Sequence, residues 1–145
     1  MSKYAQGIFQ PKNPEKYVGK KSPTYRSSWE HVFMTFCDNN PAITQWASEA
    51  IHINYRNPFT GKNTIYVPDF FIVYQDKNSR THAEVIEIKP TKETTVEAAG
   101  RSTRAQAAAI LNAAKWQAAN AWCKNQGLRF RVVTEQEIFH QGNTK

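Results

Sequence analysis

The chain has 145 residues and a formal net charge of +7, with 19 lysine and arginine residues against 12 aspartate and glutamate residues. This length corresponds to one ordinary domain with its own hydrophobic core, and the positive charge favours a polyanionic partner such as nucleic acid over an acidic small metabolite. No apolar run approaches the length of a membrane span, and the polar, proline-containing start is unlike a signal peptide, so we expect no membrane partner.

The opening segment, residues 1–26, is predicted to be an extended basic arm, and residues 27–145 are predicted to form a single domain. The arm carries six basic residues and one acidic residue, Glu15, and it is interrupted by three prolines. Such an arm can lie along a phosphate backbone or dock on a partner. A solvated basic tail is an equally good interpretation.

The first half of the domain is predicted to contain a helix and two strands. Apolar residues at helical spacing predict a helix over Trp29–Asp38. A short extended piece over Thr44–Trp46 precedes a strand over Ala50–Arg56, in which apolar and polar residues alternate. The run Thr64–Tyr74 is strand-like throughout and is interrupted by Pro68.

The second half is predicted to contain a third strand, a long helix, a strand and a final helix. Ala83–Lys89 has the apolar content of a central strand, and the alanine-rich run Ser102–Gln126 predicts a helix that ends at Gly127. Leu128–Val133 predicts a late strand, and Thr134-x-x-Glu137 is a capping box that begins a short final helix containing Ile138 and Phe139. The order is typical of an α/β fold with a mixed β-sheet flanked by helices, in which the long helix is a crossover.

The cysteines and histidines indicate neither disulfides nor a zinc site. Cys37 and Cys123 lie far apart, in helix-like stretches among apolar residues, and lack metal-ligand spacing. We therefore predict reduced core thiols of a cytoplasmic-type protein. The four histidines are scattered along the chain.

Two short motifs at the edges of strand-like runs indicate chemistry. Pro68-Asp69 is the only Pro-Asp pair, and Glu87-Ile88-Lys89 is the only acid-x-Lys sequence. Glu87 and Lys89 would project from the same face of a strand while Ile88 faces the core. Two carboxylates can hold magnesium and leave positions for a substrate oxygen and water, and the Ile88 carbonyl is a further candidate ligand. Phosphodiester hydrolysis needs this combination of cations and an activated water.

The same residues also have a purely structural interpretation. Glu87 and Lys89 would then be a solvated cross-strand pair on an outer face of the sheet, and Asp69 would be a turn residue. The spacing by itself does not separate this interpretation from the catalytic one.

The motifs together resemble the PD-(D/E)xK nuclease superfamily, which has the restriction-endonuclease-like fold with an α-β-β-β-α-β core. The sequence Tyr25-Arg26-Ser27-Ser28-Trp29-Glu30 is similar to the branch that contains transposon-encoded end-cleaving endonucleases and phage head completion nucleases. The resemblance is greatest to the head completion nucleases of T-even-like tailed phages. It is carried further by the arm residues 7–14 and by the two site motifs, extended to Val67-Pro68-Asp69-Phe70 and Glu87-Ile88-Lys89-Pro90.

This resemblance implies a metal-dependent DNA nuclease, with endonuclease or exonuclease action or both, that processes packaged double-stranded DNA during head completion and head–tail joining. It implies Mg²⁺ as cofactor, with Mn²⁺ as a possible substitute, and phage head or neck proteins as partners. The expected location is the host cytoplasm during assembly, with association to the virion. Because such folds often complete the metal site from the first helix, Glu30 is a predicted ligand and catalytic residue. Its structural alternative is a capping box with Ser27.

Other candidates concern DNA binding. Related nucleases often place a phosphate- or water-positioning residue on the helix after the catalytic strand, and basic residues near that helix or in the arm can contact the backbone. A solvated surface explains each of them equally well. Trp116 and Trp122 are predicted to be core residues rather than base-stacking platforms. The DNA-binding candidates are Lys20, Lys21, Arg26, Arg101, Arg104, Gln106 and Lys115.

The catalytic hypothesis has Asp69, Glu87 and Glu30 hold one or two metal ions while Lys89 assists attack of water on phosphorus, without a covalent intermediate. Two rival functions remain open. The chain could be a noncatalytic DNA-binding neck or connector component, in which case metal would not matter. Alternatively, it could be a structure-specific repair or restriction-type endonuclease, although no target-recognition insertion is visible in so short a chain.

Overall fold

The computed structural model of the protein describes residues 6–138, which form eight strands and three α-helices. A further helical turn covers residues 135–138, and short 3-10 helices cover Pro14–Lys16 and Thr91–Glu93. The helices are α1 (Ser28–Asn39), α2 (Val96–Ala99) and α3 (Thr103–Gln126). The strands are β1 (Gly7–Ile8), β2 (Thr24–Tyr25), β3 (Ile43–Ser48), β4 (Ile53–Arg56), β5 (Asn63–Tyr66), β6 (Phe70–Gln75), β7 (Thr81–Ile88) and β8 (Arg129–Val133).

The central sheet has four strands in the order β3-β6-β7-β8. The pairs β3–β6 and β6–β7 are antiparallel, and β7–β8 is parallel. A parallel pair needs a crossover connection, which α3 provides. The order α1-β3-β6-β7-α3-β8 confirms the predicted α-β-β-β-α-β core with a mixed sheet.

The two faces of the sheet are covered by different helices. On one face, Phe33, Met34 and Cys37 of α1 pack in the same core cluster as Phe70 and Ile86 of the sheet. The side chain of Ile88 joins this core, as alternation along β7 predicts. Burial of each such side chain contributes about 1.5–3 kcal/mol, so this face anchors the strands that end at the site.

The other face carries a second cluster between α3 and the two-stranded sheet formed by β4 and β5. Ile53, Tyr55 and Tyr66 of that sheet pack with Ala119 of α3, and Phe130 of β8 lies against the same cluster. Small alanine side chains let the helix backbone approach closely, as the alanine-rich sequence predicts. Trp116 and Trp122 pack here as predicted core residues.

Two strand predictions need correction. The run Thr64–Tyr74 is two strands in different sheets, because Val67–Asp69 leave the ladder and Pro68 lacks a backbone N–H donor. The strand predicted over Ala50–Arg56 is β4, which begins at Ile53 and pairs with β5 outside the central sheet. The piece predicted as a short extension over Thr44–Trp46 is the edge strand β3, fixed by the fully buried Trp46.

The helices begin and end close to their predicted boundaries. The Ser27 and Ser102 side chains cap α1 and α3, and Gly127 ends α3 in the left-handed conformation with a φ of 73°. One half of the predicted Thr134–Glu137 capping box forms, because the Glu137 carboxylate accepts the Thr134 N–H at 3.1 Å. The Thr134 hydroxyl donates to the same carboxylate, and the Glu137 N–H donates to the Thr134 carbonyl. Phe139, predicted for the final helix, lies outside the described residues.

Residues 6–26 lie against the domain, while residues 1–5 of the predicted arm lie outside the described residues. The Lys16 ammonium donates to three carbonyls at the end of α1, those of Cys37, Asp38 and Asn40. The Asp38 carboxylate in turn accepts the N–H groups of Lys12 and Asn13. The segment is therefore held by a reciprocal polar contact with the C-terminus of α1.

Cys37 and Cys123 are both buried free thiols, as predicted. Burial raises the pKa of both thiols, to about 11 for Cys123. Raised thiol pKa values are typical of inert structural cysteines. Among residues 6–138, no helix combines the length and hydropathy that crossing a membrane requires.

Candidate active site

The candidate site lies where β6 begins and β7 ends. Antiparallel pairing places Phe70 opposite Ile86, so that Asp69, just before β6, lies beside Glu87. Pro68 is fully buried and Glu87 is 5% exposed. The two motifs, 18 residues apart in sequence, thereby meet at one end of the sheet.

Backbone hydrogen bonds fix both carboxylates. Asp69 Oδ2 accepts the Ile88 N–H at 2.7 Å, and Glu87 Oε1 accepts the Asp69 N–H at a longer 3.3 Å. A backbone N–H of each motif thus holds the carboxylate of the other motif, and each carboxylate has a second oxygen that takes no part in these two hydrogen bonds. Both acids are held in place although Asp69 forms no salt bridge within the part of the chain that the structure describes.

The electrostatics of the pair are unfavourable for two charged groups. Burial raises the pKa of Asp69 well above its ordinary value, and the negative charges of Glu87 and Glu30 raise it further. Burial also raises the pKa of Glu87, although the nearby Lys89 ammonium and the Tyr66 hydroxyl oppose that shift. Adjacent carboxylates in a desolvated site are a recurring mark of functional sites.

Lys89 projects on the same side as Glu87, as strand alternation predicts. Its Nζ lies 3.9 Å from Glu87 Oε2, and its backbone N–H donates to the Val133 carbonyl at 3.0 Å. The backbone is therefore tied to β8 while the ammonium, which is part-exposed, faces the carboxylate. This brings together Asp69, Glu87 and Lys89.

Glu30 lies in the first turn of α1, where it takes part in capping the helix. Ser27 Oγ accepts the Glu30 N–H at 3.2 Å, and Glu30 Oε1 accepts the Arg26 N–H at 3.1 Å. The Ser27 hydroxyl also lies 3.5 Å from Glu30 Oε2. The glutamate therefore accepts the N–H of the residue before the cap, whereas the predicted capping box uses the N–H of the cap itself. Its charge still reaches Asp69 and raises the pKa of that carboxyl, while burial raises the pKa of Glu30 itself.

The donor chemistry of Asp69 and Glu87 suits magnesium. Mg²⁺ in phosphoryl-transfer sites is held by one or two carboxylates, with water and substrate oxygens completing its shell. No group of three or more His, Cys, Asp or Glu side chains close enough to hold a metal ion occurs among residues 6–138. The charge of Glu30 raises the pKa of Asp69, and the predicted role of Glu30 as a metal ligand stays a prediction. The Ile88 N–H is bonded to Asp69, and its carbonyl remains a predicted ligand.

Lys115 of α3 reaches the same site, although the sequence offered only its place on the helix after the catalytic strand. Its Nζ lies 5.5 Å from the ring centre of Tyr66 and 6.0 Å from that of Tyr55. Burial and Lys89 lower the pKa of Lys115, while Glu87 and Asp69 raise it. The ammonium is thus a second positive charge facing the two carboxylates.

Tyr66 was not predicted as a site residue. Its hydroxyl is buried beside the Glu87 carboxylate, and burial together with the Glu87 charge raises the pKa of the phenol. Only the position of Tyr66, three residues before Asp69, hinted at this location. The hydroxyl favours the charged form of Glu87 and so lowers the pKa of that carboxyl.

Glu49 is a second residue that the sequence did not reveal. It has a φ of 52°, rare for a residue with a side chain, and its N–H donates to the Asp69 carbonyl at 2.9 Å. Its carboxylate accepts the Arg26 Nε at 2.7 Å and pairs with Lys21 Nζ at 2.8 Å. These partners, Arg26 first, lower the pKa of Glu49 to about 2.

The remaining DNA-binding candidates are placed differently. Lys21 and Arg26 are brought beside the site by Glu49. Gln106 donates its side-chain amide to the Gly100 carbonyl at 2.6 Å, which is a local structural contact between α2 and α3. Lys20, Arg101 and Arg104 are exposed, and their predicted contacts with DNA stay predictions.

Comparison with known proteins agrees with this geometry. Residues 40–135 match the family described as TnsA-like endonuclease N terminal. The chain is also 37% identical over 142 residues to the head completion nuclease of Enterobacteria phage T4, covering 91% of this chain and 92% of that protein. Both matches span the two motifs of the site.

Proposed function

We propose that the site where β6 begins and β7 ends hydrolyses phosphodiester bonds of DNA, because this chain belongs to the family of TnsA-like endonucleases. The protein is a phage DNA nuclease of head completion with the restriction-endonuclease-like fold. The observation that carries the catalytic assignment is the meeting of Asp69, Glu87 and Lys89 at one end of the sheet. The net charge of +7 suits a polyanionic substrate.

The biological setting follows from the T4 relative, whose name states its role in head completion. We propose that this chain acts on packaged double-stranded DNA during head–tail joining and contacts phage head or neck proteins. Its place of action is then the host cytoplasm during assembly, with association to the virion.

Asp69 and Glu87 would hold Mg²⁺, or Mn²⁺ in its place, with Glu30 next to them. A bound divalent ion supplies positive charge at the scissile phosphate and promotes ionisation of the attacking water. Two observations support this cofactor. The pKa of Asp69 is raised in part by a neighbouring carboxylate, and each acid keeps one oxygen outside the backbone exchange.

The side chains of the chain itself have separable tasks in this mechanism. The Lys89 ammonium donates hydrogen bonds to the attacking water or the scissile phosphate, so it orients the water and offsets developing negative charge. Lys115 adds a second positive charge opposite the carboxylates. Pro68 and Tyr66 form the buried wall of the site, where lower solvent access strengthens these interactions.

The decisive experiment compares linear and covalently closed duplex DNA, with magnesium or with chelator, for the wild-type protein and a folded Asp69→Ala variant. We expect magnesium-dependent degradation that is lost in the variant. Cleavage of closed DNA would show endonuclease action, and degradation of linear DNA alone would show exonuclease action. Binding without cleavage would instead favour a noncatalytic connector, and discrete sequence- or structure-specific products would favour a restriction or repair-type enzyme.

A further inference from the structure

A protruding two-stranded ribbon adjoins the active site and takes no part in the mechanism above. The ribbon consists of β4, β5 and the loop Asn57–Lys62 between them. Its second strand leads directly into Val67–Asp69, so the ribbon and the site share one continuous segment. Residues 58–65 are all exposed, which leaves the loop and most of β5 open to a partner.

The two faces of the ribbon have different surroundings. Ile53 pairs with Tyr66, and these residues face α3 together with Tyr55. The opposite face presents Arg56 and Ile65, which are exposed. Lys115 lies over the Tyr55 and Tyr66 rings, so the inner face is fixed against the active site and only the outer face and the loop are free.

The loop has a defined shape. The Asn57 side-chain oxygen accepts the N–H groups of Phe59 and Thr60 at 2.8 and 3.2 Å, and the Asn57 N–H donates to the Lys62 carbonyl at 2.9 Å. Gly61 supplies the positive φ of 71° that this turn requires. The loop thus holds Phe59, 57% exposed, at the end of a braced turn.

The ribbon carries positive charge and no negative charge. Between Ala50 and Pro68 the sequence contains Arg56 and Lys62 and no aspartate or glutamate. Neither cation forms a salt bridge within the part of the chain that the structure describes. Lys21 and Arg26, by contrast, are paired with Glu49. Arg56 and Lys62 are therefore positioned to bind an external anion.

We propose that the ribbon enters the major groove of duplex DNA, with Arg56 and Lys62 on the flanking phosphates and Phe59 against the base edges. The inference rests on the proposed nuclease function, which supplies the substrate. A major groove about 12 Å wide admits a two-stranded ribbon without deformation, whereas a minor groove of about 6 Å admits one only where the duplex is widened and bent. Exposed Phe59 and Ile65 are separated by polar residues, unlike the apolar, charge-depleted centre of a protein interface.

The covalent connection limits where the ribbon can act. Asn63 lies six positions before Asp69, and a chain segment of that length spans at most about 20 Å. At about 3.4 Å per base pair, the start of β5 reaches DNA within about six base pairs of the scissile phosphate. The ribbon contact should therefore be complete on a duplex that extends about six base pairs from the scissile phosphate on that side, and a longer duplex should add nothing to it.

The test compares Lys62→Glu with Lys77→Glu, which reverses an unpaired, exposed lysine at the tip of the β6–β7 turn. Affinity for a fluorescent duplex is measured by anisotropy in chelator over a range of salt concentrations. We expect Lys62→Glu to bind about five- to tenfold more weakly and to reduce the salt slope by about 1, with no change for Lys77→Glu. Phe59→Ala should bind about fivefold more weakly, whereas the exposed-residue control Ile110→Ala should bind normally.

Thermal unfolding establishes that each variant is folded, and the Lys62 side chain forms no salt bridge among residues 6–138 that the substitution would break. Equal affinities of folded Lys62→Glu and Lys77→Glu would overturn the ribbon proposal, and a protein partner would then be the better occupant of this surface. If the wild-type protein does not cleave but binding still depends on Lys62, the catalytic assignment fails and the ribbon proposal stands. A Lys62 effect that appears only on duplexes extending further than this reach would also overturn it.

Discussion

The two ends of the β6–β7 hairpin carry carboxylates in opposite electrostatic states. At the turn, Asp76 accepts the N–H groups of Asn78 and Arg80 and contacts His82 at 2.8 Å. The hydrogen bond with His82 and the backbone bonds lower the pKa of Asp76. At the open end, Asp69 is buried next to Glu87, and burial and like charge raise its pKa.

Asp76 is a carboxylate that stabilises its own turn, whereas Asp69 is positioned to bind a ligand. Asp76 is satisfied by its own neighbours, so nothing external is needed to keep it charged. Asp69 forms no salt bridge among residues 6–138, and Lys89 approaches Glu87 only to 3.9 Å, so an added cation would relieve the repulsion between the two carboxylates. The excess negative charge is thus concentrated at the end of the hairpin where the reaction is proposed.

The largest expected effect is on the rate of DNA cleavage, and it should distinguish the same substitution made separately at Asp69 and at Asp76. Asp69→Asn should lower the initial rate of magnesium-dependent DNA cleavage by about 10³-fold, because loss of a metal ligand removes several kcal/mol of transition-state stabilisation. Asp76→Asn should cleave at the wild-type rate. Equal rates for the two variants would break the comparison between the hairpin ends.

The two ends also differ in their lysines. Lys89→Ala should reduce cleavage by about 10²–10³-fold while DNA affinity and thermal unfolding stay close to the wild type. Lys77→Ala at the turn should retain full activity. Normal cleavage by Lys89→Ala would remove this lysine from the proposed mechanism.

A smaller effect is expected at Lys115, whose charge faces the open end from α3. Lys115→Ala should lower the cleavage rate by about tenfold, since it removes one of two positive charges beside the carboxylates. Lys124→Ala, near the end of the same helix, should have no effect on rate. Equal losses in both variants would indicate a general contribution of α3 rather than a site contact.

The free energy of unfolding should also depend on the raised pKa of Asp69 at the open end of the hairpin. A raised Asp69 pKa means that the protonated carboxyl contributes stability below the unfolded value of 3.8, and that this contribution is lost as pH rises through the folded pKa. In chelator at neutral pH, Asp69→Asn should therefore unfold at a temperature several degrees above the wild type. The difference should shrink as the pH approaches 3.8, and a less stable variant at neutral pH would contradict the assignment.

The smallest effect is expected at Glu49, which has the depressed pKa of a satisfied carboxylate although it lies beside the site. Glu49→Gln should cost about 1 kcal/mol, because Arg26 and Lys21 are largely exposed and screened by solvent. The wild-type advantage is fully present above the ordinary pKa of 4.5 and should be lost as pH falls towards about 2. Acid unfolding of the two proteins measures this loss, and an advantage that grew towards low pH would contradict it.

Local chemistry explains which features were predictable. Ser27, Ser102 and Gly127 set the helix boundaries through contacts with the adjacent backbone. The ends of α1 and α3 could therefore be predicted from the sequence. The Thr64–Tyr74 run was wrong as one strand because both halves are strand-like but have different partners, β4 for the first half and β3 and β7 for the second. Strand pairing is decided by long-range contacts that composition does not encode.

The same division applies to the site. The sequence by itself determined the fold class and the motif residues Asp69, Glu87 and Lys89, because alternation in a strand and the unique Pro-Asp and acid-x-Lys spacings are local properties. Only the tertiary structure decided that Tyr66, Glu49 and Lys115 surround them. Those three come from different elements, and the burial and charges that shift their pKa values exist only when the elements pack together.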